Sequence, residues 1–447
     1  MMSALFTGVS AMSSNQTKID VISNNIANAN TVGYKYQTVS FADSLSQKIS
    51  GATAPTSTSG GSNAMQVGLG VGVASVNTVT TVGSFQYTGA STDLAISGDG
   101  YFIVDDGEGG YNFTRAGNFG VDSDGNLVTA DGYLVCGWQN ITTNTDGTYD
   151  VETTEDPQPL NIYYGTESSS KTIAPSATTE VVLTGNLNAS DEEKGTAMDD
   201  IGTGIDDGES ADYVLPMTTT DTLGAEHDVN IEYYKSYTET NADGDEETSY
   251  YWRAVAEDDT VLSEGYIKFD ESGKIITDDT DFPTTAEVTM DVNVAGAGDY
   301  TFEMDFSSLT MYGSDSSVST QSVDGNTAGT LLEFSIDSNG VITGTYSNGQ
   351  QQALGVISLA NFSNPAGLEK TGSNLYAETA NSGEFSVAYA PGDGGTGTLS
   401  VGTLEMSNVD LSNEYSELIL AQRGYQASSS IISTVDEMLQ ILMSLKS

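Results

Sequence analysis

One cysteine, Cys136, and one histidine, His227, are present among 447 residues. A single cysteine excludes an intrachain disulfide framework, a thiol pair and a cysteine zinc cluster. Cys136 sits in the apolar run GYLVCGWQ and reads as a buried small hydrophobe rather than a reactive or cross-linking thiol. A single histidine gives Ser-His-Asp chemistry one candidate base, and no nucleophile-elbow motif accompanies it. Cations are scarce: 13 Lys and Arg stand against 63 Asp and Glu, a formal net charge of −50, which argues against nucleic acid as a partner. The Gly-rich GEGG and GDGGTG lack the lysine and serine of a phosphate cradle, so no nucleotide site is expected. Two acidic runs, DSDGN (Asp122 to Asn126) and NADGDEE (Asn241 to Glu247), lack the spacing and closing glutamate of a calcium loop and read as Asp-Gly turns. No apolar run is long enough to span a membrane. The opening MMSALFTGVSAMSSNQ has neither a basic n-region nor a continuous apolar h-region, so neither membrane insertion nor a cleaved signal is expected. No catalytic, cofactor or metal residue is assigned.

What is there points to a β-rich body. Forty-nine glycines against 8 prolines, with many Thr, Ser, Val and Tyr, suit short strands joined by tight turns, and the length suits two or three compact domains. LAISGDGYFIVDDGEGGYNFTRAGNFGVDSDGNLVTADGYLVCGWQ breaks into short apolar runs between Asp-Gly and Gly-Gly turns, a β meander. Trp138 and Trp252 are expected in their domain cores. Residues 51–70, rich in Gly, Ser, Thr and Ala, read as an extended connector, either solvated or wrapped on neighbouring subunits. Residues 186–212 and 240–248 read as surface loops.

The charge is uneven. Residues 1–50 carry three Lys and two Asp, and residues 403–447 carry six acids against Arg423 and Lys446, so nearly all the negative charge lies between them. Nearly neutral tails on an acidic body suit association through the tails; solubility alone is the other reading. In the first tail Leu5, Met12, Ile19 and Ile26 recur every seven residues, with Val9 and Ile22 beside them. In the last tail Leu411, Leu418, Tyr425, Ile432 and Leu439 do the same, with Ala421, Val435 and Leu442 in the second row. Spacing leaves open whether these two seam helices pack within one monomer or against neighbouring copies. The other face of the first helix, including Ser3, Ser10, Ser13, Ser14, Asn15 and Thr17, is polar and almost uncharged. Asn24, Asn25, Asn28, Asn30 and Gly33 then form a turn that ends it.

The motifs are more specific than the spacing. LFTGVSAMSSNQTKIDVISNNIANANTVGYK and LEMSNVDLSNEYSELILAQRGYQASSSIISTVDEMLQIL resemble the N- and C-terminal signatures of the bacterial flagellar axial proteins of rod and hook. GDGYF, TRAGNF, DGNLV and GYLVCGW follow the order of that family's middle domain. The resemblance implies a mainly β multidomain body with sandwich- or barrel-like domains, and terminal helices that pair as a coiled-coil inner domain, order on assembly and line a tube. It divides the chain into residues 1–50 (first helix and exit turn), 51–75 (linker), 76–155 and 331–402 (the two halves of a middle β domain), 156–330 (an outer β domain) and 403–447 (last helix). The large acidic insertion favours a hook subunit over the shorter distal-rod subunit. On this resemblance the chain is not an enzyme. It polymerises with itself into a curved tube, a universal joint carrying torque from the motor rod to the filament around an export channel. It meets rod, hook–filament junction and cap proteins, and leaves the cell through the flagellar type III export apparatus without a cleavable signal. The uncharged Ser/Asn/Thr face would line the channel. A calcium-stabilised coat protein or surface adhesin with helical oligomerisation tails is the rival from another class, and an enzyme the remotest.

Overall fold

The computed structural model describes residues 2–55, 60–105, 107, 109–139, 141–143, 149–151, 155–163, 171–194, 210–240, 246–277, 283–290 and 298–446. Two long helices bracket the chain: α1 (Met2–Ala27) and α2 (Leu411–Lys446). Nearly every regular element between them, among the described residues, is a strand. The chain divides into two compact units, one of residues 1–164, 334–344 and 352–447, the other of residues 165–333 and 345–351.

In the first unit the chain leaves α1 as a β ribbon. Strand Gln37–Asp43 pairs antiparallel with Val71–Thr78, and Ser46–Ser50 with Met65–Gly68. The stretch expected as a connector is therefore, from residue 65 on, the returning arm of a hairpin; its Gly/Ser/Thr composition hid the alternation that marks a strand. Next, Phe85–Tyr87 and Leu94–Ser97 run out beside Thr403–Glu405 and Thr398–Val401 coming back, so both ends enter the β body side by side. Beyond them an antiparallel sheet follows the order Leu134–Trp138, Tyr101–Asp105, Tyr111–Thr114, Leu375–Ala377, Glu369–Gly372. Tyr101, Ile103, Phe113, Cys136, Trp138, Phe362 and Tyr376 fill its core. Burial pushes the Cys136 thiol up to about 12, so it behaves as the small hydrophobe expected.

The second unit is a sandwich. A meander of Tyr213–Thr220, Glu226–Thr240, Glu246–Ala256 and Val261–Phe269 faces a sheet in which Glu180–Asn188 runs parallel to Tyr300–Tyr312. Tyr233, Tyr250, Trp252, Phe302 and Phe306 interlock between them, with the Trp252 and Phe306 rings 5.1 Å apart. Residues 186–188, 240 and 246–248, expected in loops, belong to strands; residues 195–209 and 241–245 lie outside the described residues.

Tight turns recur in both units. In Asp122–Asn126, Asp221–Ala225, Asp270–Lys274 and Asp337–Val341 the leading carboxylate accepts the backbone N–H of the third and fifth residues. The fourth residue takes left-handed backbone and is glycine each time. The DSDGN run is thus one of a set of hairpin loops. Ala256–Thr260 closes with the same backbone bonds but places Asp259 in the left-handed position, at φ 63°. Asp259→Gly is expected to stabilise the flanking strands by about 1 kcal/mol. Native-state amide exchange across Glu246–Ala256 and Val261–Phe269 should then slow; unchanged or faster exchange would show that this position carries no strain.

Candidate assembly site: the helix pair and its joint

α1 and α2 pack antiparallel. Asn25 lies against Glu414, with its Nδ2 donating to Glu414 Oε2 at 3.1 Å, and Lys18 pairs with Glu417. Gly424 abuts Asn15, and Gly8 abuts Ile432; a Cβ on either glycine would stand 3.0 Å from the facing side chain. The seam in α2 runs through Glu414, Leu418, Ala421, Gly424, Ser428, Ile432, Val435 and Leu439, in steps of three or four. A strict seven-residue row drifts off the contact line of a straight helix. Ile22, Ala421 and Val435 are buried, and Leu5, Met12, Ile19, Ile26, Leu418, Ile432 and Leu439 half-buried. Val9, Leu411 and Tyr425 are exposed, and the side chain of Leu442 lies outside the described residues. Tyr425 turns outward because the helices approach too closely at Gly424 to admit a ring.

The uncharged face of α1 is only partly free. Ser10 Oγ accepts the Val71 N–H at 3.3 Å, and buried Ser14 donates to the Val71 carbonyl at 3.4 Å. Both face the strand Val71–Thr78, which corrects their expected place on a channel wall. The periodicity of α1 could not show that a ribbon folds back along it.

Among the expected exit-turn residues, Asn24 and Asn25 belong to the last helical turn. Asn28 caps it, its Nδ2 donating to Asn24 O at 2.9 Å. Asn25, 1% exposed, grips Gln37 through both backbone groups, at 2.8 and 3.0 Å, and so fixes where the ribbon starts. Asn30 is exposed. Gly33 makes the turn at φ +69°, where a Cβ would sit 2.6 Å from the Ala116 nitrogen, so a side chain is excluded twice over.

Behind this turn lies a cluster of three buried charges. Lys35, Arg115 and Glu405 are 1%, 2% and 0% exposed. Glu405 Oε1 accepts from Lys35 Nζ at 2.6 Å and from the Gly83 N–H at 2.8 Å. Glu405 Oε2 faces the Arg115 guanidinium at 3.5 Å. Lys35 Nζ also donates to the Thr81 carbonyl, and Arg115 donates to the Gly98 carbonyl and lies over the Tyr101 ring. Burial pushes the Lys35 amine below its ordinary value, against the pull of Glu405. The sequence reading missed this cluster. Its signal was three charged residues inside apolar or tightly turned motifs, GYKYQ, TRAGNF and TLEMSN.

Away from the seam, α2 keeps a second apolar face in water. Tyr415, Ile419, Leu420, Ile431, Met438 and Ile441 are all exposed, Leu420 at 65%. A helix with apolar residues on two sides has buried one of them. Gly424→Val should part the helices and destabilise the pair by about 1–3 kcal/mol. Tyr425→Ser should cost under about 0.5 kcal/mol. Thermal unfolding followed by helical circular dichroism separates the two, and the reverse order would refute this seam.

Four family descriptions match the chain. They are flagella basal body rod protein over residues 5–35, flagellar hook protein FlgE/F/G D1 domain over 95–158, flagellar basal body protein FlaE D2 domain over 186–326, and flagellar basal body rod FlgEFG protein C-terminal over 400–445. The flagellar hook protein FlgE of Borreliella burgdorferi is 36% identical, with 100% of both chains covered. That of Salmonella typhimurium is 32% identical over 98% of each chain. The flagellar basal-body rod protein FlgG of Bacillus subtilis is 31% identical, again with 100% of both covered. In fold, a crystal structure of Helicobacter pylori flagellar hook protein FlgE2 superimposes with a TM-score of 0.50 at 17% identity, over 72% of this chain and 100% of that one. With matching signatures at both ends, matching D1 and D2 domains, and full-length relatives above 30% identity, the chain belongs to the flagellar hook protein family, whose members are structural, non-enzymatic subunits.

Proposed function

We propose that this subunit polymerises into the curved hook tube with the α1–α2 pair as its inner wall and the acidic β units outside. The observation that carries the reading is the unburied apolar face of α2, which one subunit leaves in water and a ring of copies would cover. Ile22, Ala421 and Val435, with the half-buried Leu5, Met12, Ile19, Ile26, Leu418, Ile432 and Leu439, then hold each helix pair together, and Tyr415, Ile419, Leu420 and Ile431 meet the next copy. The exit turn passes the chain outward from that wall. Load would travel from the helix layer through the turn to the β units, which is what a universal joint between rod and filament requires. The rod, the hook–filament junction proteins, the cap and the type III export apparatus are the partners this reading implies, with the polymer outside the cell. In this reading the domain division drawn from the sequence is kept, with the ribbon's returning arm from residue 65 on in place of part of the 51–75 linker.

A formal charge of −50 makes copies repel, so assembly should rise with salt. Negative-stain microscopy of the full chain across rising salt should show hollow curved tubes. The double variant Ile419→Glu, Ile431→Glu should keep its monomer fold and form none. Straight tubes would favour a distal-rod role, and unimpaired tubes from the double variant would remove α2 from the interface.

A further inference from the structure

We propose that the Lys35–Glu405–Arg115 cluster is a positioning device that sets the angle of the α1–α2 pair on the β body. It concerns the single subunit and stands whether or not the polymer reading does. Lys35 lies eight residues after the last residue of α1, Ala27, and Glu405 lies six before the first of α2, Leu411, so two short tethers converge on one carboxylate. Each oxygen of that carboxylate serves one side of the joint. Oε1 holds Lys35 and the Gly83 N–H, which belong to the segments leading to and from the ribbon. Oε2 faces Arg115, which the Gly98 carbonyl and the Tyr101 ring anchor in the β body.

Neighbouring contacts converge on the same short stretch of chain. The Gly33 N–H donates to the Glu405 carbonyl at 2.8 Å. Asn408 Oδ1 accepts the Tyr36 N–H, and its Nδ2 donates to the carbonyls of Val79 and Thr81. From the β body, Lys370 Nζ donates to the Lys35 carbonyl and lies 4.4 Å from the centre of the Tyr34 ring. Asn374 Nδ2 donates to the Val32 carbonyl. Asn374 and Ser373 form a hairpin tip in which two successive non-glycine residues take left-handed backbone, at φ 59° and 49°. Positive φ at both positions is what a two-residue hairpin loop requires, and it presents Asn374 to the exit turn.

Packing alone does not call for charge at this point. Three apolar side chains of similar size would fill the space with equal or better stability, whereas a carboxylate between two cations from different segments accepts one geometry. The cluster is also incompletely satisfied: Arg115 Nε and Glu405 Oε2 make no hydrogen bond among the described residues. Stability is given up and orientation is gained.

Pulsed electron–electron distance measurements on the full chain test this. Spin labels on Ser23→Cys in α1 and Asp131→Cys in the β body report the angle, and labels on Asp131→Cys and Glu384→Cys report the β body alone; all three positions are exposed and native Cys136 is buried. The native background should give one narrow distribution for each pair. Glu405→Gln, and separately the apolar triple variant Lys35→Met, Arg115→Met, Glu405→Leu, should spread the first distribution into several populations and leave the second unchanged. If the triple variant keeps the native narrow first distribution, the cluster only fills space and the proposal falls. It falls equally if Glu405→Gln changes neither distribution, or if the second distribution broadens with the first in the triple variant. Should Glu405→Gln fail to fold, the triple variant decides.

Discussion

A single buried carboxylate, Glu405, holds both ends of the chain to the β body. The molecule has 63 acids and 13 Lys and Arg, and at this one joint it buries an acid and two of those few cations together, each 2% exposed or less. Cations in so acidic a protein would otherwise relieve repulsion at the surface, so their burial marks the joint as a place where geometry outweighs solubility. The close approach at Gly33, the grip of Asn25 on Gln37 and the side-by-side entry of Phe85–Tyr87 and Thr403–Glu405 all depend on the chain ends meeting there.

The helix pair hung on that joint is weak by design of its residues. Its middle is made of Gly8, Asn15, Gly424 and Ser428, which let the backbones approach and bury little apolar area. Most helical stability comes from tertiary burial, so a pair with a thin seam and a bare second face gains much of its order from whatever covers that face. Firm attachment at one end and incomplete burial along the sides leave the second face of α2 for neighbouring copies to cover.

Much of this was legible in the sequence, and the failures have identifiable causes. Alternating apolar runs between Asp-Gly turns located the strands because each turn is closed by the residues that such loops require, as at Asp122–Asn126. Trp138 and Trp252 lie in the cores expected of them. Residues 51–70, which include part of the ribbon's returning arm, were read as a connector because the ribbon carries Ser, Thr and Gly on both faces and shows no single buried side. Leu411 and Tyr425 were placed in the seam by a seven-residue count and Val9 as a neighbour of such a row, while the contact line follows steps of three and four around Gly424. Ser10 and Ser14 were read as free because their partner, Val71, is 57 and more residues away. The same distance hid the charge cluster: Lys35 and Glu405 are 370 positions apart, and nothing local distinguishes a lysine that will be buried.

Amide hydrogen exchange on the free full-length subunit tests the central claim most directly. The N–H groups of Gly33 and Gly83 are bonded to the Glu405 carbonyl and carboxylate. If the joint holds independently of assembly, these two amides exchange as slowly as those of the core strand Tyr101–Asp105 and far more slowly than the outer turns of α2. If they exchange with the α2 amides instead, the joint opens whenever the helices do, and Glu405 does not fix the ends of the chain.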